Sequence, residues 1–180
     1  MNAAIHQLAN HIKVPNYNSS GLSDAKVPDA QAGWEKAFTA LLAAMGGSNY
    51  VHHTAGMLES MLTVACEQYV IDDEIIGMCY KVLKGIEVDA DHLAMEVIDS
   101  VGPGGNYMIA PHTMAHMRSE YFNGNGITDR KSREKWEKDG ALDTRTRGRE
   151  IARKILAGEE KSYIPPEIDQ AIREKFNILL

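Results

Sequence analysis

The chain has 180 residues, 44% of them hydrophobic, and a formal net charge of −6 at pH 7. These values are typical of one globular domain with a hydrophobic core, and the negative charge argues against a nucleic-acid-binding protein. No hydrophobic run reaches the roughly 20 residues of a membrane-spanning helix, and the N-terminus has no basic segment followed by a hydrophobic one, as a secretory signal would have. We therefore expect a cytoplasmic protein with neither a membrane nor a nucleic-acid partner, in which Cys66 and Cys79 are buried free thiols.

The first half of the chain alternates predicted helices with short predicted strands. Residues 1–12 are predicted to form a helix and Val14–Tyr17 a strand. Pro28 suits the first turn of a second helix, and Asn49–His52 is a second predicted strand. The second helix carries hydrophobic residues at helical spacing, which predicts a face turned toward the core. These residues are Trp34, Phe38, Leu41, Leu42 and Met45.

The helix around residues 71–83 has the clearest periodicity, and Gly85 is predicted to end it. Its acidic run at residues 72–74 is expected near the helix start, where the helix dipole favours negative charge. Asp89 is the predicted cap of the next helix. That helix is expected to turn three residues inward, namely Leu93, Val97 and Val101.

A Gly-Pro-Gly-Gly break at residues 102–105 precedes the last predicted strand. Asn106–Ala110 is that strand, and a helix from about His112 to Phe122 follows it. Two or three polar helices finish the chain. The last of them is expected to bury hydrophobic side chains, which are Ile168, Ile172 and Phe176.

Alternating helices and strands predict an α/β fold with a parallel sheet and crossover helices. Three strands are few for a doubly wound sheet, and a closed (β/α)8 barrel needs about 250 residues. We therefore predict a helix-rich C-terminal part of a (β/α)8 TIM barrel, with the missing strands lying N-terminal in a longer chain. Residues 1–125 are predicted to form half-barrel βα units, and residues 126–180 a helical extension packed on the same domain.

Positive charge is concentrated near the C-terminus. From Asp129 to Lys154 there are ten basic and six acidic residues, a net of +4. Alternating signs of this kind are typical of solvated helix faces. A docking patch for an acidic partner is the alternative.

Three stretches resemble the trimethylamine methyltransferase superfamily: SDAKVPDAQAGWEK at residues 23–36, NYVHHTAGMLESMLTVACEQYVIDDEIIGM at residues 49–78, and GPGGNYMIAPHTMAHMR at residues 102–118. The resemblance extends to about residue 157. It implies a (β/α)8 barrel whose full-length members move a methyl group from a methylated amine to the cobalt of a corrinoid (cobalamin) on a separate protein. It implies no cofactor bound directly by this chain.

Members of the family that use trimethylamine carry pyrrolysine, and its position aligns near Asn18–Gly21, where this chain has ordinary residues. The resemblance therefore implies a quaternary amine such as glycine betaine. A quaternary ammonium departs as a neutral tertiary amine, so a Co(I) nucleophile can attack its methyl group without added electrophilic help. The protein then needs only to bind, orient and desolvate a cation, and aromatic faces and carboxylates suit that task.

The resemblance and the predicted strand ends give the candidate site residues. His53 and Glu59 are the catalytic candidates, because His53 follows a predicted strand and both match family residues. Glu59 could balance the charge of the substrate cation or orient His53. Alternatively, it could only stabilise a helix N-terminus through its negative charge. Ser19 and Ser20, in the loop that replaces pyrrolysine, are substrate-binding candidates. Strand alternation predicts that His52 faces away from His53, toward the core or an interface.

His112 and His116 are four residues apart on one helix face, a spacing that can bind zinc. The sequence shows no third ligand at metal spacing and no HExxH motif, so we expect no metal there. The family resemblance instead makes both histidines substrate-binding candidates.

The sequence thus leaves three hypotheses. The first is a methyltransferase for a quaternary amine, acting with a corrinoid protein. The second is a non-catalytic half-barrel module that binds a corrinoid protein, and a third, weaker one is a helical metal protein. Half of a barrel leaves strand edges and helix faces uncovered, so we expect the isolated chain to form a homo-oligomer and not to turn over.

Overall fold

The computed structural model describes residues 1–158 and 163–178. The strands are β1 (Tyr17–Ser19), β2 (Tyr50–His52), β3 (Met57–Leu58) and β4 (Thr63–Val64). The helices are α1 (Asn2–His11), α2 (Ala30–Met45), α3 (Cys66–Lys84), α4 (Ala90–Leu93), α5 (Met95–Val101), α6 (Pro111–His116), α7 (Arg133–Lys138), α8 (Thr144–Leu156) and α9 (Pro166–Lys175). A single 3₁₀ turn occurs at Tyr107–Ile109, and Glu59–Met61 forms a tight turn with left-handed φ values. A helix-rich α/β chain is therefore confirmed.

The strands β1 and β2 form a parallel pair joined through α2. Tyr17 lies opposite Tyr50 and Ser19 opposite His52. The predicted parallel pairing is confirmed, although β1 begins later than the predicted strand at Val14–Tyr17. A short antiparallel pair of β3 and β4 follows, which the sequence pattern did not indicate.

The predicted strand at Asn106–Ala110 is wrong. The Asn106 side chain accepts a hydrogen bond from the Met108 amide at 2.9 Å, and the Tyr107 carbonyl accepts one from the Ala110 amide. These local bonds close a 3₁₀ turn in place of a strand, because an asparagine side chain competes for the backbone groups that a sheet needs.

The second helix buries a different face from the one that its hydrophobic periodicity predicts. Its buried residues are Ala32, Lys36, Ala40 and Ala43. The large side chains point to solvent instead: Trp34 is 62% exposed and Phe38 is 65% exposed. The small residues allow α2 to approach α1 and α3 closely, so this part of the core depends on backbone proximity more than on large side chains.

The third helix begins earlier than predicted and packs mainly against α8. Asp72 is therefore mid-helix and buried, so the expectation of a dipole-stabilised first turn is wrong. Gly148 of α8 allows a close approach to α3, since an added Cβ would lie 3.1 Å from the Glu67 carbonyl oxygen. Cys66 is exposed, contrary to expectation, while partial burial raises the pKa of the Cys79 thiol.

The predicted cap at Asp89 is confirmed, because its side chain accepts from the His92 amide. The helix that follows it is interrupted at Ala94, which has a left-handed φ of 51°. Leu93 is exposed, and so are Ile168 and Phe176 at the C-terminus, so these three residues do not lie in the core as expected. In the described parts of the chain, no helix combines the length and hydrophobicity that crossing a membrane requires.

Candidate functional site

A compact polar group lies at the carboxyl ends of β1 and β2. The Ser19 hydroxyl oxygen is 2.8 Å from His52 Nε2 and 3.1 Å from His53 Nδ1. The two imidazole rings are 4.2 Å apart between centroids. A serine hydroxyl has one proton, so it donates to one imidazole nitrogen and accepts from the other ring's N–H. We call Ser19, His52 and His53 the strand-end cluster.

Two tyrosines extend this cluster along the same face of the sheet. Alternate residues of a strand share a face, so Tyr17 lies beside Ser19, and Tyr50 beside His52. The Tyr17 ring meets His52 edge-on at 5.1 Å, and the Tyr50 ring lies 6.0 Å from it. Tyr17 is 70% exposed and Tyr50 is 65% exposed. The face is therefore an open, aromatic-rich surface.

His53 joins the cluster because the backbone turns at that residue. Its φ is 63°, in the left-handed region that non-glycine residues rarely occupy. This turn brings the His53 ring back toward Ser19. The prediction that His52 faces away from His53 is therefore wrong, because strand alternation stops where the strand ends at His52.

A buried ion pair anchors the loops that carry this cluster. The Lys36 ammonium donates to the carbonyls of Gly21 at 2.6 Å and Met57 at 3.0 Å, and it lies 3.2 Å from the Asp72 carboxylate. Asp72 in turn accepts from the Gly56 amide at 2.7 Å. Gly21 follows β1 and Gly56 follows His53, so the pair fixes both segments relative to α2 and α3.

The Lys36–Asp72 pair is almost completely excluded from water, each side chain being 1% exposed. Burial raises the pKa of Asp72, and Lys36 together with hydrogen bonds from Gln68 and Gly56 opposes that effect. Gln68 donates to Asp72 at 2.7 Å. The sequence did not predict this pair, because its members are 36 residues apart and no sequence motif links residues at that separation.

Ser20 and Glu59 make their hydrogen bonds outside the strand-end cluster. The Ser20 hydroxyl is buried and donates to the Thr39 carbonyl at 2.8 Å. The Glu59 carboxylate accepts from the Thr63 hydroxyl at 2.8 Å. Within the described residues, Glu59 has no hydrogen bond to His53. The predicted roles of both residues in binding and catalysis stay predictions.

The backbone at Glu59, Ser60 and Met61 has φ values of 51°, 53° and 70°. Each such residue costs about 1–3 kcal/mol and persists only where its surroundings hold it. Here the Glu59 amide donates to the Ala25 carbonyl and the Ser60 amide to the Ser23 carbonyl. Ser60 also donates from its hydroxyl to Asp24. Those bonds hold the strained turn against the loop that follows β1.

A cavity of about 390 Å³ lies between α2, β2 and α3. Its lining includes Val51, Thr54, Ile76 and Cys79. Neither Ser19 nor the two imidazoles of the strand-end cluster line it. Tyr50 of the candidate face does line it, so the cavity adjoins the candidate site through that tyrosine.

His112 and His116 form a second cluster. His116 Nε2 is 2.9 Å from Asp91 Oδ2, and His112 Nε2 is 3.5 Å from Asp91 Oδ1. No hydrogen bond, ion pair or ring contact joins them to Ser19, His52 or His53 in the described residues. Their predicted contact with the substrate stays a prediction. Folding brings the Asp91 carboxylate beside both histidines, a third potential ligand that sequence spacing did not indicate.

Comparison with known proteins identifies the family. The model of the trimethylamine methyltransferase (MTTB) family matches residues 1–177. The chain therefore belongs to this methyltransferase family, and the resemblance seen in the sequence is confirmed.

The relatives act on more than one amine, according to their names. The chain is 36% identical over 178 residues to a glycine betaine methyltransferase of Desulfitobacterium hafniense strain Y51, covering 99% of this chain and 36% of the relative. It is 37% identical over 173 residues to the trimethylamine methyltransferase MttB of Desulfitobacterium hafniense strain DSM 10664 / DCB-2, covering 96% and 34%. A trimethylamine methyltransferase MttB2 of Methanosarcina mazei is 37% identical over 172 residues, covering 96% and 33%. The chain thus spans about a third of the length of these relatives.

Proposed function

We propose that this chain forms the C-terminal part of a (β/α)8 methyltransferase that moves a methyl group from a quaternary amine, such as glycine betaine, to the cobalt of a corrinoid carried by a separate protein. The observation that carries the proposal is the strand-end cluster with its two tyrosines. It lies at the carboxyl ends of parallel strands, where barrel enzymes bind their substrates.

The face of the β1–β2 pair has the chemistry that a quaternary ammonium needs. Aromatic ring faces attract such cations, and this is the usual way in which proteins recognise them. Tyr17 and Tyr50 supply two rings, and the imidazoles of His52 and His53 supply two more. The cation would lie against these rings, while water is displaced from its methyl groups.

A betaine also carries a carboxylate, which requires hydrogen-bond donors. The His53 imidazole can donate to it from Nε2 when its Nδ1 accepts the Ser19 proton, and the Ser19 contact then fixes the tautomer and the orientation of the ring. Binding at both ends would hold the N-methyl group in one orientation, and orientation of this kind lowers the barrier of an in-line displacement. The Lys36–Asp72 pair keeps the two loops at a fixed separation.

The corrinoid, when its carrier protein docks, supplies a Co(I) nucleophile for the methyl group. The open position of the cluster fits a cofactor that arrives on a partner, since Tyr17, Tyr50 and His53 are all exposed. The amine leaves neutral, so no proton has to be delivered to it. Ser19 and the histidines therefore have to bind and orient, and no general acid is required.

The test is methylation of Co(I) cobalamin or of a cognate corrinoid protein, followed by absorbance, with the protein that carries this chain. We expect turnover with glycine betaine and none with trimethylamine. His53→Ala should lower kcat/KM roughly tenfold to a few hundredfold, the effect of one lost charge-assisted hydrogen bond. Ser19→Ala should lower it as well, because the His53 ring then loses the contact that orients it. His11→Ala, which removes an exposed histidine of α1, is the matched control.

Use of trimethylamine with no quaternary amine accepted would contradict the substrate assignment. Unchanged rates for both variants would contradict the site.

The second candidate function, a non-catalytic module that binds a corrinoid protein, is favoured by the exposed side chains of Trp34 and Phe38 on α2. It predicts a stable complex with the corrinoid protein and no methylation of its cobalt.

A further inference from the structure

Three side chains that commonly bind metals converge between α4 and α6, outside the strand-end cluster. They are Asp91, His112 and His116, and one ligand atom from each lies within 4.8 Å of the other two. Asp91 lies in α4, and the two histidines lie one turn apart on α6. Nothing in the proposed methyl transfer requires them.

The separations of these ligand atoms match a metal site. Zinc binds histidine nitrogen and carboxylate oxygen at about 2.0–2.2 Å, so neighbouring ligands of a tetrahedral site are roughly 3.3 Å apart. The separation from Asp91 is 2.9 Å to His116 Nε2 and 3.5 Å to His112 Nε2. One carboxylate oxygen faces each imidazole, and the two rings lie 4.4 Å apart between centroids. Small side-chain rotations are therefore enough to admit an ion.

Local structure holds the ligands in this arrangement. Pro111 begins α6 and places His112 in its first turn, so that His116 follows on the same face. α4 is a single turn, capped by Asp89 and ended by the left-handed Ala94. His112 Nε2 also lies 2.8 Å from the Asp91 carbonyl oxygen. Metal binding would exchange that hydrogen bond for a bond to the ion.

We propose that Asp91, His112 and His116 bind one divalent transition-metal ion of the zinc type. Two imidazoles and one carboxylate are a donor set that suits zinc and its neighbours, whereas magnesium prefers oxygen ligands alone. Three protein ligands leave the fourth position of a tetrahedral ion open. The Asp91 side chain is 65% exposed, so water can reach that position.

A second group, His92, His116 and Glu120, shares His116 with the first. His92 already pairs with Asp89, its Nδ1 lying 2.8 Å from the carboxylate. The Asp91 carboxylate, in contrast, faces both histidines of α6, and they are its ion-pair partners within the described chain. The first group is therefore the binding site, and His92 lies beside it.

The experiment is calorimetric titration of Zn²⁺ into the untagged chain after removal of metals with a chelator. We expect about one equivalent per chain, unaffected by a large excess of Mg²⁺. His112→Ala, His116→Ala and Asp91→Ala should each weaken Zn²⁺ binding by more than about 100-fold, because loss of even an outer-shell partner costs 10–100-fold. His11→Ala should bind as the wild type does.

Circular dichroism of each variant shows whether it is folded, and His112→Gln replaces any alanine variant that is not. Absence of stoichiometric Zn²⁺ binding would overturn the proposal. So would unchanged affinity in folded His112 and Asp91 variants, or loss of binding in His92→Ala with His112→Ala unaffected. None of these results depends on methyl transfer, so they are independent of the proposed function.

Discussion

Replacing Lys36 by methionine tests whether the buried ion pair holds the candidate site together. Methionine retains most of the length of the lysine side chain and removes the ammonium. The carbonyls of Gly21 and Met57 lose their donor, and the Asp72 carboxylate keeps only the bonds from Gly56 and Gln68. A buried charge is then left without its counterion.

Breaking one partner of a buried pair costs about 3–5 kcal/mol of unfolding free energy. With a typical urea dependence of about 2 kcal/mol per molar, the unfolding midpoint should fall by roughly 1.5–2.5 M. Burial raises the pKa of Asp72 and Lys36 opposes this rise, so the pKa should rise further in the variant. When the pKa of a carboxyl is higher in the folded state than its unfolded value of about 3.9, the unfolding free energy of the protein falls as the pH increases. The loss should therefore be larger at pH 7 than at pH 5.

The assay is urea unfolding followed by circular dichroism at several protein concentrations, with Lys26→Met as the control. Lys26 is exposed, and among the described residues its ammonium hydrogen-bonds to the Asp24 carbonyl on the surface, so this change should stay within about 0.5 kcal/mol. Adding Asp72→Asn to Lys36→Met should recover part of the loss, since replacement of a whole buried pair is often nearly neutral. A loss below about 1 kcal/mol for Lys36→Met, where breaking a buried pair should cost several times more, would refute the reasoning. So would a double variant that is as unstable as the sum of the singles.

Three further predictions concern packing, pH and association. Gly56→Ala should lower the unfolding free energy, measured in urea, by more than about 1 kcal/mol, because φ is 82° and the new Cβ would lie 2.3 Å from the Tyr69 ring. Gly33→Ala is the control: its new Cβ meets nothing within 4 Å, so it should stabilise α2 by about 0.5–1 kcal/mol. Burial raises the pKa of Glu67, but a backbone hydrogen bond and two arginines of α8 outweigh it and lower that pKa. The contact between Glu67 and these arginines therefore stabilises the fold at neutral pH and is lost in acid. Glu67→Gln should make the unfolding free energy fall less steeply on acidification. The wild-type chain should sediment as more than a monomer, and Trp34→Lys should shift it toward monomer, because the exposed Trp34 and Phe38 side chains of α2 offer a hydrophobic surface for self-association. A wild-type monomer, or no effect of the substitution, would contradict self-association through this surface.

The candidate site was predicted only in part from the sequence. His53 and Ser19 were expected from strand ends and family resemblance, and the structure brings them together. His52 was placed on the wrong face, because alternation cannot reveal a left-handed residue directly after the strand. The pairing of Tyr17 with Tyr50 could have been read from two parallel strands of matching pattern, if the register had been known.

The sequence by itself determined the local elements of this protein. Helical periodicity indicated where most helices lie, and Asp89 and the glycines indicated where helices begin and end. These signals are local because capping and backbone conformation depend on neighbours in the chain. The tertiary structure alone decided which face each helix buries and which distant residues meet. Lys36 meets Asp72 and Asp91 meets His116 only after α2, α3, α4 and α6 have packed, because contacts between elements depend on their mutual geometry and leave no fixed spacing along the chain.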